Sequence, residues 1–177
     1  MGSAKALLEF CGTRLVVHLA EMLRAGGCGP IYVVVGGPWR DAITDELAVS
    51  NPDTLVVINP QPERGMLSSL QTGLAGVSGS AVFTPVDLPL ARCRPVEALL
   101  AAPAGHSVVV PTYNGQSGHP VLLRRPAVDA VLNADSRASA RDILARFDRL
   151  KIRTEEPGIC GNMNTPSDAR AWTKEVS

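Results

Sequence analysis

Four short runs constrain this chain more than any other feature: "IYVVVGG" from Ile31, "TLVVINP" from Thr54, "AVFTPVDLPL" from Ala81 and "SVVVPTY" from Ser107. Each is apolar along nearly its whole length, which marks strands buried on both faces of a parallel sheet covered by helices. The stretches between them repeat differently. Val16, Leu19, Ala20 and Leu23 recur at helical spacing, as do Leu67, Leu70, Leu74 and Val77, each set giving an apolar stripe with polar neighbours. Alternating strands and helices imply right-handed crossovers in a doubly wound α/β fold, with ligands outside the carboxyl ends of the strands. Further along, "GHPVLLRR" from Gly118 reads as a strand. "SARDILARFDRL" from Ser139 reads as a helix with Ile143, Phe147 and Leu150 inward, and "KIRTEE" as a last short strand. In "NTPSD" Thr165 caps a final helix, Pro166 suits its first position and Asp168 completes a capping box. There is no internal repeat or linker, so residues 1–177 form one domain.

A chain of 177 residues buries roughly two-thirds of the surface that its unfolded form exposes. Lysine plus arginine and aspartate plus glutamate both total 17. No basic field therefore exists to draw nucleic acid or anionic lipid, and a small-molecule partner is expected. No apolar run approaches the roughly eighteen positions of a membrane span, and the start lacks a signal pattern, so a cytoplasmic protein, monomer or homodimer, is expected. The four cysteines are isolated, without zinc or dithiol spacing, and read as buried free thiols.

Four stretches carry candidate chemistry. In "VDLP", Asp87 emerges at the carboxyl end of an apolar strand, followed by a proline that stops the ladder. It is either a turn aspartate bonded to its own backbone or a hard oxygen ligand for Mg²⁺ and phosphates. A lone carboxylate at that depth needs a cation or donors to stay ionised, which favours the metal. In "NPQPERGMLSSLQTGL", Gly65 frees the backbone for close approach, and Ser68 and Ser69 fall in the first turn of a helix. That is a nucleotide cradle or an ordinary loop and helix start; Arg64 meets phosphate or solvent. In "GQSGHPVLL", Gly118 gives a tight approach and His119 either orients a substrate or serves as a structural donor. In "GNMNTPSD", Asn162 and Asn164 lie two apart on an extended segment, so their amide oxygens point the same way, toward a metal shell or toward backbone groups before the cap.

Taken in chain order, "MGSAKALL", "NPQPERGMLSSLQTGL", "PVDLPL", "PTYNGQSGHPVLL", "SARDILARF" and "GNMNTPSD" resemble the landmarks of the MobA-like NTP transferases, which include molybdenum cofactor guanylyltransferases and cytidylyltransferases. The resemblance covers essentially the whole chain. It implies a three-layer α/β/α sandwich with a mostly parallel Rossmann-like sheet, and Mg²⁺-dependent attack by a substrate phosphate on the α-phosphate of an NTP, releasing pyrophosphate. On that likeness Asp87 matches the metal carboxylate, with Asn164 and Asn162 as further metal contacts. Lys5 matches the loop lysine that meets phosphate, and Gly65, Ser68 and Ser69 match the segment near base and ribose; Gly118 and His119 are assigned to the acceptor. "GMLSSLQTGL" and "GHPVLL" resemble the cytidylyl branch and "NMNTP" the guanylyl form, so CTP and GTP both stand. The acceptor implied is a phosphorylated small molecule, molybdopterin by family.

Members of that family begin with a strand running into a glycine-rich loop, roughly "LAAGxSxRMGxxKxLL", and this chain starts at the "MG". The resemblance therefore implies a first strand missing from the sheet and a start downstream of the true one. It further implies weak or no NTP turnover by this polypeptide, rising by orders of magnitude once strand and loop are restored. Two other readings stand beside it: a nucleotide-binding regulator without catalysis, and a sugar-phosphate nucleotidyltransferase. A glycosyltransferase on a similar sheet is disfavoured, since "VDLPL" lacks an Asp-x-Asp pair.

Overall fold

The structure is a computed structural model that describes residues 4–135 and 137–176; Met1 and Gly2 of the opening motif lie outside them. After a 3-10 turn at Lys5–Leu7 comes a small antiparallel hairpin, β1 (Glu9–Phe10) and β2 (Thr13–Arg14). The alternating region follows as α1 (Leu15–Ala25), β3 (Tyr32–Val35), α2 (Arg40–Ser50), β4 (Leu55–Ile58), α3 (Met66–Leu74) and β5 (Ala81–Phe83). The second half comprises α4 (Arg94–Leu100), β6 (Val108–Tyr113), β7 (Gln116–Ser117), β8 (Val121–Leu123), α5 (Arg125–Leu132), α6 (Ala140–Leu144), β9 (Arg149–Arg153) and α7 (Pro166–Val176).

All four apolar runs form strands, each shorter than its run. β5 stops at Phe83 because Pro85 has no amide to continue a ladder. The α/β class is as the patterns require, and the sheet is mixed in detail. β3 pairs with β4 and β6 with β9 in parallel, whereas β8 runs antiparallel between β5 and β6. The reversal has a local cause: Asn114 (φ 47°) and Gly115 (φ 81°) are both left-handed, the backbone of a tight hairpin turn. The predicted helix from Ser139 ends at Leu144, and Leu150 belongs instead to β9. Val77 lies beyond the end of α3. Cys11, Cys28, Cys93 and Cys160 are free thiols, with Cys11 exposed and the others half-buried rather than fully buried.

Helices cover both faces of the larger sheet, and strand alternation shows it. Val108 and Val110 of β6, with Val121 and Leu123 of β8, pack with Leu67 and Leu74 of α3, Val128 and Val131 of α5, and Ile143 of α6. Val109 and Leu122 point the other way, onto Leu99 of α4 and Leu150 and Ile152 of β9. Such side-to-side alternation is the period of a strand between two helical layers. Among the described residues β3 forms a ladder only with β4, and β5 only with β8. The strands therefore fall into three groups, the β1–β2 hairpin, the β3–β4 pair and the larger sheet, with no described backbone pairing between β3 and β5. Among the described residues no helix is long and apolar enough to cross a membrane.

Leu123, fully buried at the centre of the larger sheet, supplies a direct check of this core. Leu123→Ala should cost roughly 2–5 kcal/mol in urea unfolding, from lost transfer energy plus a cavity that rigid neighbours cannot close.

Candidate active site

Asp87 lies four residues past β5, on an irregular segment whose next residues, Leu88 and Leu90, are buried. Its carboxylate Oδ2 accepts a hydrogen bond from Lys5 Nζ at 2.9 Å, and the pair is partly open to solvent, at 42% and 25% side-chain exposure. Lys5 reaches it because Ala6 is buried against Val16, Val17 and Leu47, which fixes the 3-10 turn against α1. From the far end of the chain, the Met163 amide donates to the Asp87 carbonyl at 2.7 Å. Met163 is fully buried, so Asn162 and Asn164 on either side of it are exposed, and neither side-chain amide has a partner among the described residues. Asp168 holds the segment's end: its Oδ2 accepts from the Asn164 and Thr165 amides, each at 2.9 Å, while its own amide donates to Thr165 Oγ1 at 3.2 Å. Those bonds hold its carboxyl below the ordinary range, and the arrangement is the reciprocal box read from the sequence.

His119 arrives through a bulge. Thr112 pairs with Ser117 and Val109 with Leu122, so two residues of β6, Val110 and Pro111, oppose the four from Gly118 to Val121. Extra residues in one strand re-aim a side chain out of the ladder. Gly118 is needed there because a Cβ would overlap the Ile159 carbonyl, to which the His119 amide donates at 2.9 Å. The imidazole stands edge-on to Phe83 at 5.5 Å. Burial pushes its pKa below 6.5, against the opposing pull of Asp87.

The serines are placed differently from the other candidates. Ser68 is buried; its hydroxyl donates to the Gln61 carbonyl at 2.9 Å and accepts from Asn59 Nδ2 at 2.7 Å. Asn59 Nδ2 also reaches Ser69 Oγ at 3.0 Å, and its Oδ1 accepts from the Gln61 amide. Both hydroxyls thus tie the end of β4 to the start of α3. Gly65, exposed at the junction, adopts φ 85° and ψ −165°, and Arg64 Nη1 donates to Gln61 Oε1. The structure brings Lys5, Asp87, His119 and the Asn162–Asn164 segment to one rim, with Gly65, Ser68 and Ser69 on the turn between β4 and α3. Asn59 was not singled out from sequence, although an asparagine ending a strand before proline is a turn signal. Nor was His18, whose Nε2 donates to the Leu90 carbonyl at 2.8 Å from the buried face of α1.

A model of the MobA-like NTP transferase domain matches residues 1–151. The chain belongs to that family. Its members are nucleotidyltransferases, and the mixed sheet with helices on both faces is their fold. The Escherichia coli (strain K12) molybdenum cofactor cytidylyltransferase is 24% identical over 170 residues, covering 95% of this chain and 86% of that protein. A nucleotidyl transferase from Methanothermobacter thermautotroptrophicus superposes with a TM-score of 0.79 at 17% identity, covering 97% of this chain and 84% of that one. Rv0371c of Mycobacterium tuberculosis H37Rv, in its complex with manganese, superposes at 0.73 with 21% identity, covering 98% and 93%.

The donors at the rim suit a hard divalent cation. Among the described residues no three His, Cys, Asp or Glu side chains gather, so a soft or all-protein cage is not built here. One carboxylate, already facing a cation in Lys5, with the exposed amides of Asn162 and Asn164 on the segment bonded to its backbone, is a donor set that would suit a hard divalent cation keeping part of its water shell.

Three outcomes follow from these contacts. Because the folded His119 binds its proton less readily than the unfolded chain, stability should fall as pH drops through 6.5 toward the folded pKa. Asp87→Asn removes the carboxylate that opposes the shift and should lower the imidazole midpoint further, as followed by NMR titration. Asn59→Ala leaves the buried Ser68 and Gln61 groups short of partners and should cost about 1–3 kcal/mol by thermal or urea unfolding.

Proposed function

We infer that the protein transfers CMP from CTP to the phosphate of a small acceptor in molybdenum cofactor synthesis, releasing pyrophosphate. The observation that carries this reading is the direct contact of Lys5 with Asp87, held against the Met163 backbone at the carboxyl rim of the sheet. The cytidylyl relative and the "GMLSSLQTGL" turn favour CTP over GTP, and the same relative motivates molybdopterin as acceptor.

Chemically, an acceptor phosphate oxygen forms a bond to the α-phosphorus of CTP while the bond from that phosphorus to the pyrophosphate oxygen breaks. Two anions must be brought in line, so most of the catalysis is positioning and charge neutralisation. Asp87, with Asn162 and Asn164, would hold Mg²⁺, which would supply positive charge at the reacting phosphates. Lys5 offers its ammonium to the triphosphate, exchanging the Asp87 contact for phosphate oxygens. His119, kept neutral by burial, is able to donate or accept one hydrogen bond at the acceptor without adding charge. The Gly65 turn, braced through Asn59, presents backbone to the base and ribose, with Ser68 and Ser69 acting as its braces.

The test is transfer of label from α-labelled CTP, with pyrophosphate release measured in parallel. Asp87→Asn should lower kcat by roughly 10²–10³-fold while the chain stays folded, and Lys5→Ala should raise the KM for CTP. Label transferred from GTP in preference to CTP, or an Asp87→Asn variant as fast as the parent, would overturn the reading.

A further inference from the structure

Residues 156–163 lead from the end of β9 toward α7 and touch two of the candidate stretches on the way. A 3-10 turn, Pro157–Cys160, forms the middle of this strap, with Gly158 and Ile159 buried. The Ile159 carbonyl accepts the His119 amide at 2.9 Å, and the Met163 amide donates to the Asp87 carbonyl at 2.7 Å. Backbone meets backbone at both ends with no room for a side chain. A Cβ on Gly118 would overlap the Ile159 carbonyl, and one on Gly158 would overlap the carbonyl of Pro89, on the segment that carries Asp87. Interiors packed this closely transmit strain instead of absorbing it, so a shift of the strap at one end reaches the other.

Glu156 anchors the strap. Its side chain is buried, with the residue only 7% exposed, and its carboxyl meets the Ala91 amide of the Asp87 segment and the Gly158 amide of the strap. Burial pushes its pKa up against the pull of those amides and of the Arg92 guanidinium. One oxygen is left over: Oε1 has no hydrogen-bond partner among the described residues and lies against the same point between Gly158 and Pro89 that a Cβ would occupy. A buried acceptor left unpaired costs on the order of 1–3 kcal/mol and calls for an explanation. Rules of stability are broken in this way chiefly where a site needs the residue. What the carboxyl provides is reach, since it joins two stretches of irregular backbone that no ladder connects.

We propose that Glu156 is a positioning residue for nucleotidyl transfer: through the strap it fixes Asp87 and His119 relative to each other. Its effect on rate rests on the transfer reading, whereas the linkage stands on the backbone contacts alone. Neither Asp87, past the end of β5, nor His119, in the bulge before β8, is held by a ladder of its own. In-line transfer needs both in place, and a misplacement of about 1 Å from a change remote from the chemistry lowers rates by up to about 10²-fold. Lys5 and the Gly65 turn are carried by other elements. Loosening the strap therefore acts on the rate of the bound complex more than on CTP binding.

The experiment compares Glu156→Ala and Glu156→Gln in the full chain, by label transfer from CTP and by ¹⁵N spectra of the ligand-free protein. Glu156→Ala should lower kcat on the order of ten- to a hundredfold at nearly unchanged KM for CTP. It should also move the Met163 and His119 amide resonances together, while those of Ser68 and Ser69 stay. Glu156→Gln keeps an acceptor for the Ala91 amide and sets an N–H where the orphaned oxygen stands, so it should restore both. Gly118→Ala presses on the strap from its other end and should move the Met163 and Ala91 amides, a check that holds even where Glu156→Ala does not fold. A still His119 amide in Glu156→Ala, still Met163 and Ala91 amides in Gly118→Ala, or a raised KM with kcat intact would overturn the proposal. Label taken from GTP in preference to CTP, with the amides moving as expected, removes the CTP reading and leaves the linkage. Transfer from CTP with those amides still removes the linkage and leaves transfer.

Discussion

The Asp87–Ala91 segment has no ladder hydrogen bonds, and the position of every group at the rim depends on how its neighbours hold it. Three elements far apart in sequence do so. His18 in α1 donates to the Leu90 carbonyl, Met163 ahead of α7 donates to the Asp87 carbonyl, and Glu156 meets the Ala91 amide. Between these bonds Leu88 and Leu90 are buried with Phe10, Leu15, Val96, Ile159 and Met163. Irregular backbone placed this deep is stable only when its polar groups are satisfied, and the clamp satisfies them while leaving the Asp87 carboxylate on the open side. Carboxylate position is therefore a property of the whole domain. A substitution at His18 acts on it as surely as one next door.

That arrangement separates holding from reacting. The groups that fix the rim are buried: His18, Met163, and the Asn59 network beneath Gly65. The charged groups, Lys5 and Asp87, are partly solvated and paired with each other. A pair of this kind is weakly stabilising in its own right, so both members are available to a ligand at little cost to the fold. His119 sits between the classes, too buried to hold a proton easily and close enough to Asp87 to feel it.

Much of this was legible in the sequence, because the strands are apolar runs and the cap at Thr165 is a local pattern. Periodicity located β3, β4, β5 and β6 as parallel strands but not the reversed β8 between two of them. The antiparallel course of β8 follows from Asn114–Gly115, a hairpin signal inside "PTYNGQS" that a reading for parallel crossovers passes over. The helix from Ser139 was read too long because Phe147 and Leu150 continue its spacing, although they pack from a turn and a strand. At the site, Asp87 and Lys5 stood out as charges in apolar or glycine-bearing contexts. Ser68 and Ser69 were visible as residue types, but not what they bond, since their partner Asn59 lies nine and ten residues away. Glu156 and the Ala91 amide that it meets come from segments about sixty residues apart, and no local pattern joins them.

The unpaired edges of β3 and β5 have a consequence for handling the protein. The edges of β3 and β5 away from β4 and β8 carry backbone donors and acceptors that no described ladder uses, and Val33, Val34 and Val82 are only half-buried. Open, β-branched edges of this kind are templates for whatever extended chain reaches them first. Association through such edges should grow with protein concentration as well as with temperature.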